Sequence, residues 1–407
     1  MRSKLFVVVL LLAGGLFAAQ PNQGFKKLCE AHRLFALRNA IADVDAPAFY
    51  KGTIEAAFND TQAAERDLGS VAQSALNSDE AYQAHELLTY LYLRTGRYQR
   101  ALEQDDALLA ARPGAADAQN VHPLLAALSH YPDQSVTERR SSVTRCHMHD
   151  GNLFVAVSLG GRVASYILDS GANVSVMTES EAKRLGLTIH DIGTRGQDAT
   201  GGVSVDRLAV APQLAIGETH LASVAFLILS DDQRPFVDLP PDERGVLGLP
   251  VLLALETVRW GRDGSFAVGF PPGPRDRKKS NMCLDGADVI TEAAVKERAV
   301  DLVVDTGASY TRLWPRFKED FATLVASGQA GATRVTGVAH SIQSDSITLP
   351  ELKLRVGGFN AALRPATVLL QETTIQSRWH HGILGMDLLS QAATVTMDFA
   401  AMTLTLH

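Results

Sequence analysis

One stretch of this chain occurs twice. Ile167-Leu168-Asp169-Ser170-Gly171-Ala172 returns 136 residues later as Val303-Val304-Asp305-Thr306-Gly307-Ala308. Each copy is followed by a second matched signal. Gly248 of Gly245-Val246-Leu247-Gly248 lies 79 residues past Asp169, and Gly385 of Gly382-Ile383-Leu384-Gly385 lies 80 residues past Asp305. A third match falls between them, at Thr200-Gly201 and Thr336-Gly337, where each Gly lies 32 residues past its Asp. A repeat of this length, with one acid per copy, predicts two similar lobes that face each other and bring two carboxylates together.

The pairing has a chemical use. Two carboxylates held about 3 Å apart cannot both ionise, so they share one proton. The ionised partner can take a proton from water while the protonated one polarises an amide carbonyl, which is acid–base hydrolysis without a covalent intermediate. The flanking residues suit that task. Two apolar residues before each Asp read as a buried strand that delivers the acid to its end. Gly171 and Gly307 permit a tight turn whose backbone N–H approaches the carboxylate. The Ser170 and Thr306 hydroxyls are placed to bond across to the opposite loop. The Gly-apolar-apolar-Gly segment would be the strand packed behind each acid.

Ile-Leu-Asp-Ser-Gly-Ala-Asn and Val-Val-Asp-Thr-Gly-Ala-Ser, each with its later Gly-Val/Ile-Leu-Gly, resemble the active-site loops of aspartic proteases. Lobes of about 120 residues are more similar to retropepsin lobes than to the larger pepsin lobes, and bacterial retropepsin-like proteases are the family in view. The resemblance covers roughly residues 146 to 407. It implies mostly-β lobes related by a pseudo-twofold, a peptide bound as an extended strand, and hydrolysis by Asp169 and Asp305. Ser170, Gly171, Ala172, Thr306, Gly307 and Ala308 would support the catalytic loops. In such proteins a β-hairpin flap closes over the substrate. Thr200, Gly201 and Gly202, and Thr336 and Gly337, fall where flaps would sit, without an aromatic residue at either tip. Retropepsins pair two single-lobe chains, whereas here both lobes are fused, as in pepsin. The lobes differ in one respect: Gly248 continues into Leu249-Pro250, and Gly385 into Met386-Asp387.

The remainder has a different character. Residues 1–19 read as a secretory signal peptide: Arg2 and Lys4 precede the apolar run Leu5 to Phe17, and Ala18-Ala19 offers a cleavage site. The mature protein is then expected outside the cytoplasm, secreted or periplasmic. An uncleaved membrane anchor is the alternative. From 20 to 130 the apolar spacing is helical. Residues 84–101, with Leu88, Tyr92, Gly96, Tyr98 and Ala101, resemble a tetratricopeptide repeat. Fewer than three such repeats seldom stand alone, so this region should lean on the lobes or on a protein partner. Partner recognition and a structural cap both remain open.

Residues 131–145 read as a linker to lobe one, 146–270. The Pro- and Lys/Arg-rich segment 271–281 reads as an exposed connector to lobe two, 282–407. Within the lobes, Leu153–Leu159, Gly160-Gly161 and Val163–Leu168 read as a hairpin, and Ile347–Val356 as a strand before Gly357-Gly358. Thr178 is placed to cap a helix over 179–187, with 314–325 as its counterpart.

Cys146 and Cys283 stand at equivalent points before each lobe. Either they pair as a disulfide or they are unrelated buried thiols, and Cys29 is left over. Cys146-His147-Met148-His149 lacks a second ligand pair nearby in sequence, so no metal or other cofactor is expected. His380 and His381 read as exposed loop residues. A net charge of −7 without a basic stripe argues against nucleic acid. Serine-hydrolase elbows, zinc His-Glu-x-x-His motifs and phosphate loops are absent from the sequence. Two functions remain: an aspartic endopeptidase acting on a peptide or protein, or a non-catalytic peptide- or partner-binding protein that uses the lobes and the tetratricopeptide-like helices as a scaffold.

Overall fold

Among the described residues, seven helices come first: α1 (Pro21–Glu30), α2 (Leu34–Ile41), α3 (Ala48–Ala57), α4 (Thr61–Ser74), α5 (Asp79–Arg94), α6 (Tyr98–Ala111) and α7 (Ala116–Leu128). The computed structural model describes residues 21–74, 78–198, 201–337 and 341–407. The expected leader, residues 1–19, and the flap candidate Thr200 lie outside the described residues. Helix α5 shows why the segment is helical. The Ser78 hydroxyl accepts from Ala81 N–H at 3.1 Å, and Asp79 and Glu80 occupy the first turn, where the helix dipole favours anions. Its Ala81, Ala84, Leu88, Leu91 and Tyr92 recur at helical spacing and are all buried. Gly96, at φ +68°, turns the chain into α6, and a Cβ there would collide with Gln134.

Two similar β lobes follow. In lobe one, strands Asn152–Leu159 and Arg162–Leu168 pair around Gly160 and Gly161, both at positive φ. Their counterparts are Asp288–Val295 and Arg298–Val304. Gly245–Leu247 then runs parallel to the end of Arg162–Leu168, with Ile167 opposite Val246 and Leu168 opposite Leu247. Lobe two repeats this register, with Val303 opposite Ile383 and Val304 opposite Leu384. A third strand crosses antiparallel in each, Val176 opposite Val246 and Arg312 opposite Ile383. The end of each acid-bearing strand is therefore flanked and buried, which is why the residues just before each acid, Ile167 and Leu168 and Val303 and Val304, are apolar.

Several expectations need correction. The linker 131–145 contains strand Ser135–Glu138, paired with Thr219–Leu229, and the start of Ser142–His149, paired with Ser265–Val268. The segment expected to be lobe two does not stay with that lobe to its end. Thr394–Asp398 pairs with Thr257–Gly261 of lobe one, and Thr403–Leu406 pairs beside it. This shared sheet buries Val258, Trp260, Phe266, Met397 and Phe399, so apolar burial joins the lobes. The connector 271–281 is mostly exposed, as expected, but it does pack against the helices: Arg38 Nη1 donates to Arg277 O (3.0 Å) and Ser280 O (2.6 Å), and Arg277 pairs with Asp60 at 3.1 Å. Arg275, Arg277 and Lys278 are ion-pair or hydrogen-bond partners of the helical region, and Lys279 pairs with Asp276 within the connector.

Ile347–Val356 is two strands, Ser341–Leu349 and Leu352–Val356. Pro350 interrupts them because it has no N–H to give the ladder. Cys29, Cys146 and Cys283 are free thiols. Cys146 Sγ donates to Ser265 O at 3.3 Å, and burial pushes its thiol up to about 11. His380 and His381 are buried, each 1% exposed. Their partners are carboxylates far away in sequence.

Candidate active site

Asp169 and Asp305 sit at the ends of the two equivalent central strands. Each is fixed by the strand behind it: Asp169 N–H donates to Leu247 O at 3.0 Å, and Asp305 N–H to Leu384 O at 3.1 Å. The chain then turns sharply, and Gly171 N–H reaches back to Asp169 Oδ1 at 2.8 Å. In lobe two, Gly307 N–H (2.9 Å) and Ala308 N–H (3.0 Å) both reach Asp305 Oδ1. The loops are also tied to the helices that follow the strands behind them, where Leu249 N–H donates to Ala172 O and Met386 N–H to Ala308 O, both at 2.8 Å. Gly248 and Gly385 are required by close approach. A Cβ on either would lie 2.7 Å from the carbonyl oxygen of Ala172 or Ala308.

The hydroxyls of Ser170 and Thr306 lock the loops together. Thr306 Oγ1 donates to Leu168 O (2.6 Å) and accepts from Ser170 N–H (2.9 Å). Ser170 Oγ donates to Val304 O (2.7 Å) and accepts from Thr306 N–H (3.1 Å). Both residues are fully buried. Thr306→Val keeps the shape but leaves a buried carbonyl and a buried N–H unpaired. A loss of about 2–4 kcal/mol is expected, to be measured as a lower melting temperature.

Each carboxyl group is set against the glycine of the opposite loop, Asp169 against Gly307 and Asp305 against Gly171, close enough for the two to interact. Both are enclosed by dense protein, although each keeps some solvent contact. Burial raises the pKa of both. Asp169 rises well above the usual carboxylate range, through burial first and then the neighbouring Asp305 charge. For Asp305, burial is opposed by the hydrogen bond from Asp169 and by the Gly307 and Ala308 N–H groups. Two carboxyl groups this close cannot both ionise readily, so the pair holds one shared proton.

The sequence reading missed a further matched pair. Ser175 Oγ accepts from Gly248 N–H, and Thr311 Oγ1 accepts from Gly385 N–H, both at 3.0 Å. These residues stand at the same 136-residue offset as the acids, so the repeat itself could have found them. Thr311 also donates to Asp387 Oδ1 at 2.6 Å, whereas lobe one has Pro250 at that place.

The flap candidates fall at the ends of long hairpins. Gly201 and Gly202 begin strand Gly201–Ile216, which pairs with Ile189–Asp198 as far as Asp198 opposite Gly201. Thr336 ends strand Gln329–Thr336, opposite Ser341, and Gly337 follows it. A cavity of about 580 Å³ lies elsewhere, lined by Gln134, Arg139, Glu256 and Arg275 among others and by neither aspartate. The chemistry resides in the dyad, and cavity size does not locate it.

The aspartyl protease family model matches residues 155–251 and again 291–388, one match in each lobe. Each lobe is similar to an aspartyl protease. None of the curated proteins matches the chain. Among solved structures, a retropepsin-like aspartic protease from Rickettsia conorii is similar at 13% identity. That alignment covers 34% of this chain and 94% of that one, with a TM-score of 0.24.

Proposed function

We propose that this chain is an aspartic endopeptidase that hydrolyses peptide bonds with Asp169 and Asp305. The observation that carries the reading is two enclosed carboxyl groups, each set against the glycine of the opposite loop, at the ends of equivalent, cross-locked loops. Asp305, ionised, takes a proton from the attacking water as its oxygen bonds to the scissile carbonyl carbon. Asp169 gives its proton to the carbonyl oxygen, which leaves a neutral gem-diol and an exchanged pair. Asp305 then protonates the leaving nitrogen, Asp169 takes a hydroxyl proton, and the C–N bond breaks. The starting protonation returns, so the cycle needs no cofactor.

The hairpins that carry Gly201, Gly202, Thr336 and Gly337 are proposed as flaps over an extended peptide. Residues 1–19 are proposed as a secretory leader, with secreted or periplasmic work as the reading and a retained membrane anchor as its alternative. The α5–α6 pair is proposed as a tetratricopeptide-like element whose chief role here is a cap on the lobes. Its support is the packing of the helical region onto both: Tyr98 Oη donates to Ser223 O in lobe one, and Arg94 to Gly286 O in lobe two.

The test is cleavage of an unfolded protein and a diverse peptide library by residues 20–407, from about pH 3 to 7. Products that disappear in dyad variants would support the reading. Saturable peptide binding without products in a folded sample would favour the scaffold.

A further inference from the structure

The helical region meets lobe two at one carboxylate shared by two histidines. His32, in the α1–α2 turn, places Nδ1 2.7 Å from Asp285 Oδ2. His380 Nε2 reaches the same oxygen at 3.0 Å. The His32 ring also stacks on Trp379, with centroids 4.6 Å apart. His380 Nδ1 is buried without a partner, so the ring hydrogen belongs on Nε2, where Asp285 accepts it.

A second contact lies beside the first. Arg33 pairs with Asp301 at 3.2 Å and with Asp320 at 3.7 Å. His381 Nδ1 accepts from Asp301 N–H at 3.0 Å, so its Nε2–H is the donor to Asp320 at 2.9 Å. Then comes Arg94 of α5, fully enclosed. Its guanidinium donates to Ala56 O and to Gly286 O, both at 2.5 Å. Asp285 and Gly286 thus hold the turn of the hairpin Met282–Val295 to the helices from two sides. Asp288, next along that turn, is pushed up to about 6 by burial, with the charges of Asp285 and Asp305 adding to the effect. The clamped turn therefore lies within electrostatic reach of the dyad.

We propose that His32, Asp285 and His380 form an acid-tightened clamp that keeps the helical region docked on lobe two as a fixed part of the working protein. The proposal is independent of the catalytic reading. Burial works against a proton on His32, but the hydrogen bond and charge of Asp285 outweigh it, aided by Glu86 and Asp288, and its pKa is raised. A raised folded value means the stabilisation is complete below the ordinary histidine range and is lost as pH rises through the folded value. Burial likewise opposes the Asp285 charge, but both histidines hold its pKa below the usual carboxylate range. Its contribution fails only in strong acid. The clamp is closed between these limits.

The other groups facing it do not reverse this sign. Arg94 is a fixed cation near Asp285, and burial pushes up the acids of Tyr90 and Glu86 on α5, of Cys29 on α1 and of Cys283 on the clamped hairpin.

The experiment is amide hydrogen exchange of Met282–Val295 in the full chain, for wild type, His32→Gln and His32→Phe. Each variant is compared with wild type at the same pH, so intrinsic exchange cancels. The Phe variant keeps a ring on Trp379 while removing the proton. At about pH 5.5 both variants should exchange roughly tenfold faster than wild type. At about pH 8.5 the ratio should fall to within roughly twofold of one. A ratio that is unchanged between the two pH values, one included, or that grows with pH, overturns the clamp.

Discussion

Asp169→Asn and Asp305→Asn are each expected to lower kcat by roughly 10²–10⁴-fold with little change in KM. Asn offers neither a proton to give nor a charge to receive one, yet it keeps the shape that the loop N–H groups hold. Wild-type activity should be bell-shaped in pH, because the pair works with one proton and fails with none or two. The two limbs belong to the pair and to neither residue alone. With both groups raised by burial, the alkaline limb should lie above the usual carboxylate range.

The same raised values make a stability statement of opposite direction. Above the ordinary carboxylate range the unfolded chain has lost protons that the folded dyad retains. Stability therefore falls as pH rises toward the folded values. Asp169→Asn removes that penalty. The inactive variant should melt at a higher temperature than wild type at about pH 7, and the gap should close at about pH 3. An Asn variant that is inactive but less stable at neutral pH would point to damage of the loop, and the loss of activity would then say nothing of proton transfer.

What was legible in the sequence is what the repeat wrote twice. The acids, Ser170 and Thr306, Gly171 and Gly307, and the strands behind them follow a common offset, and the structure places them in matching register. The helical region was legible because apolar residues at helical spacing carry their own signal. The errors share a cause, which is pairing across long sequence distances. His380 and His381 resemble loop histidines until Asp285 and Asp320 are beside them, 95 and 61 residues away. The connector 271–281 is exposed as it reads, but nothing in it announces that Arg38 and Asp60 hold it. The last strands carry nothing that says they belong next to Thr257–Gly261. Pro350 is different, since a proline inside a presumed strand is a local signal for the break that is found there.

Gly307→Ala is expected to abolish cleavage almost as completely as loss of an acid, although it changes no ionisable group. A Cβ on Gly307 would lie 2.7 Å from Asp169 Oδ1, and nearer still to Cγ and Oδ2. On Gly171 it would lie 2.8 Å from Asp305 Cγ and 2.9 Å from Oδ1. Neither glycine is needed for a left-handed backbone, since neither has a positive φ. What forbids a side chain is the opposite carboxyl group, pressed against the turn by the Ser170 and Thr306 cross-links. The methyl can be accommodated only by moving an acid that Leu247, Leu384 and the loop N–H groups hold, or by spreading the two lobes. Either movement separates the two carboxyl groups, on whose closeness proton sharing depends, and a misplacement of about 1 Å can cost on the order of 10²-fold in rate. Gly307→Ala should be the more severe, because its contact is the closer. Kinetics and pH titration of the two Ala variants separate this from simple unfolding. A folded Gly307→Ala protein should lose the bell-shaped profile, because carboxylates moved apart titrate more nearly as ordinary acids. Near-wild-type turnover with an intact bell would mean that the loops are not pressed together as the cross-links require.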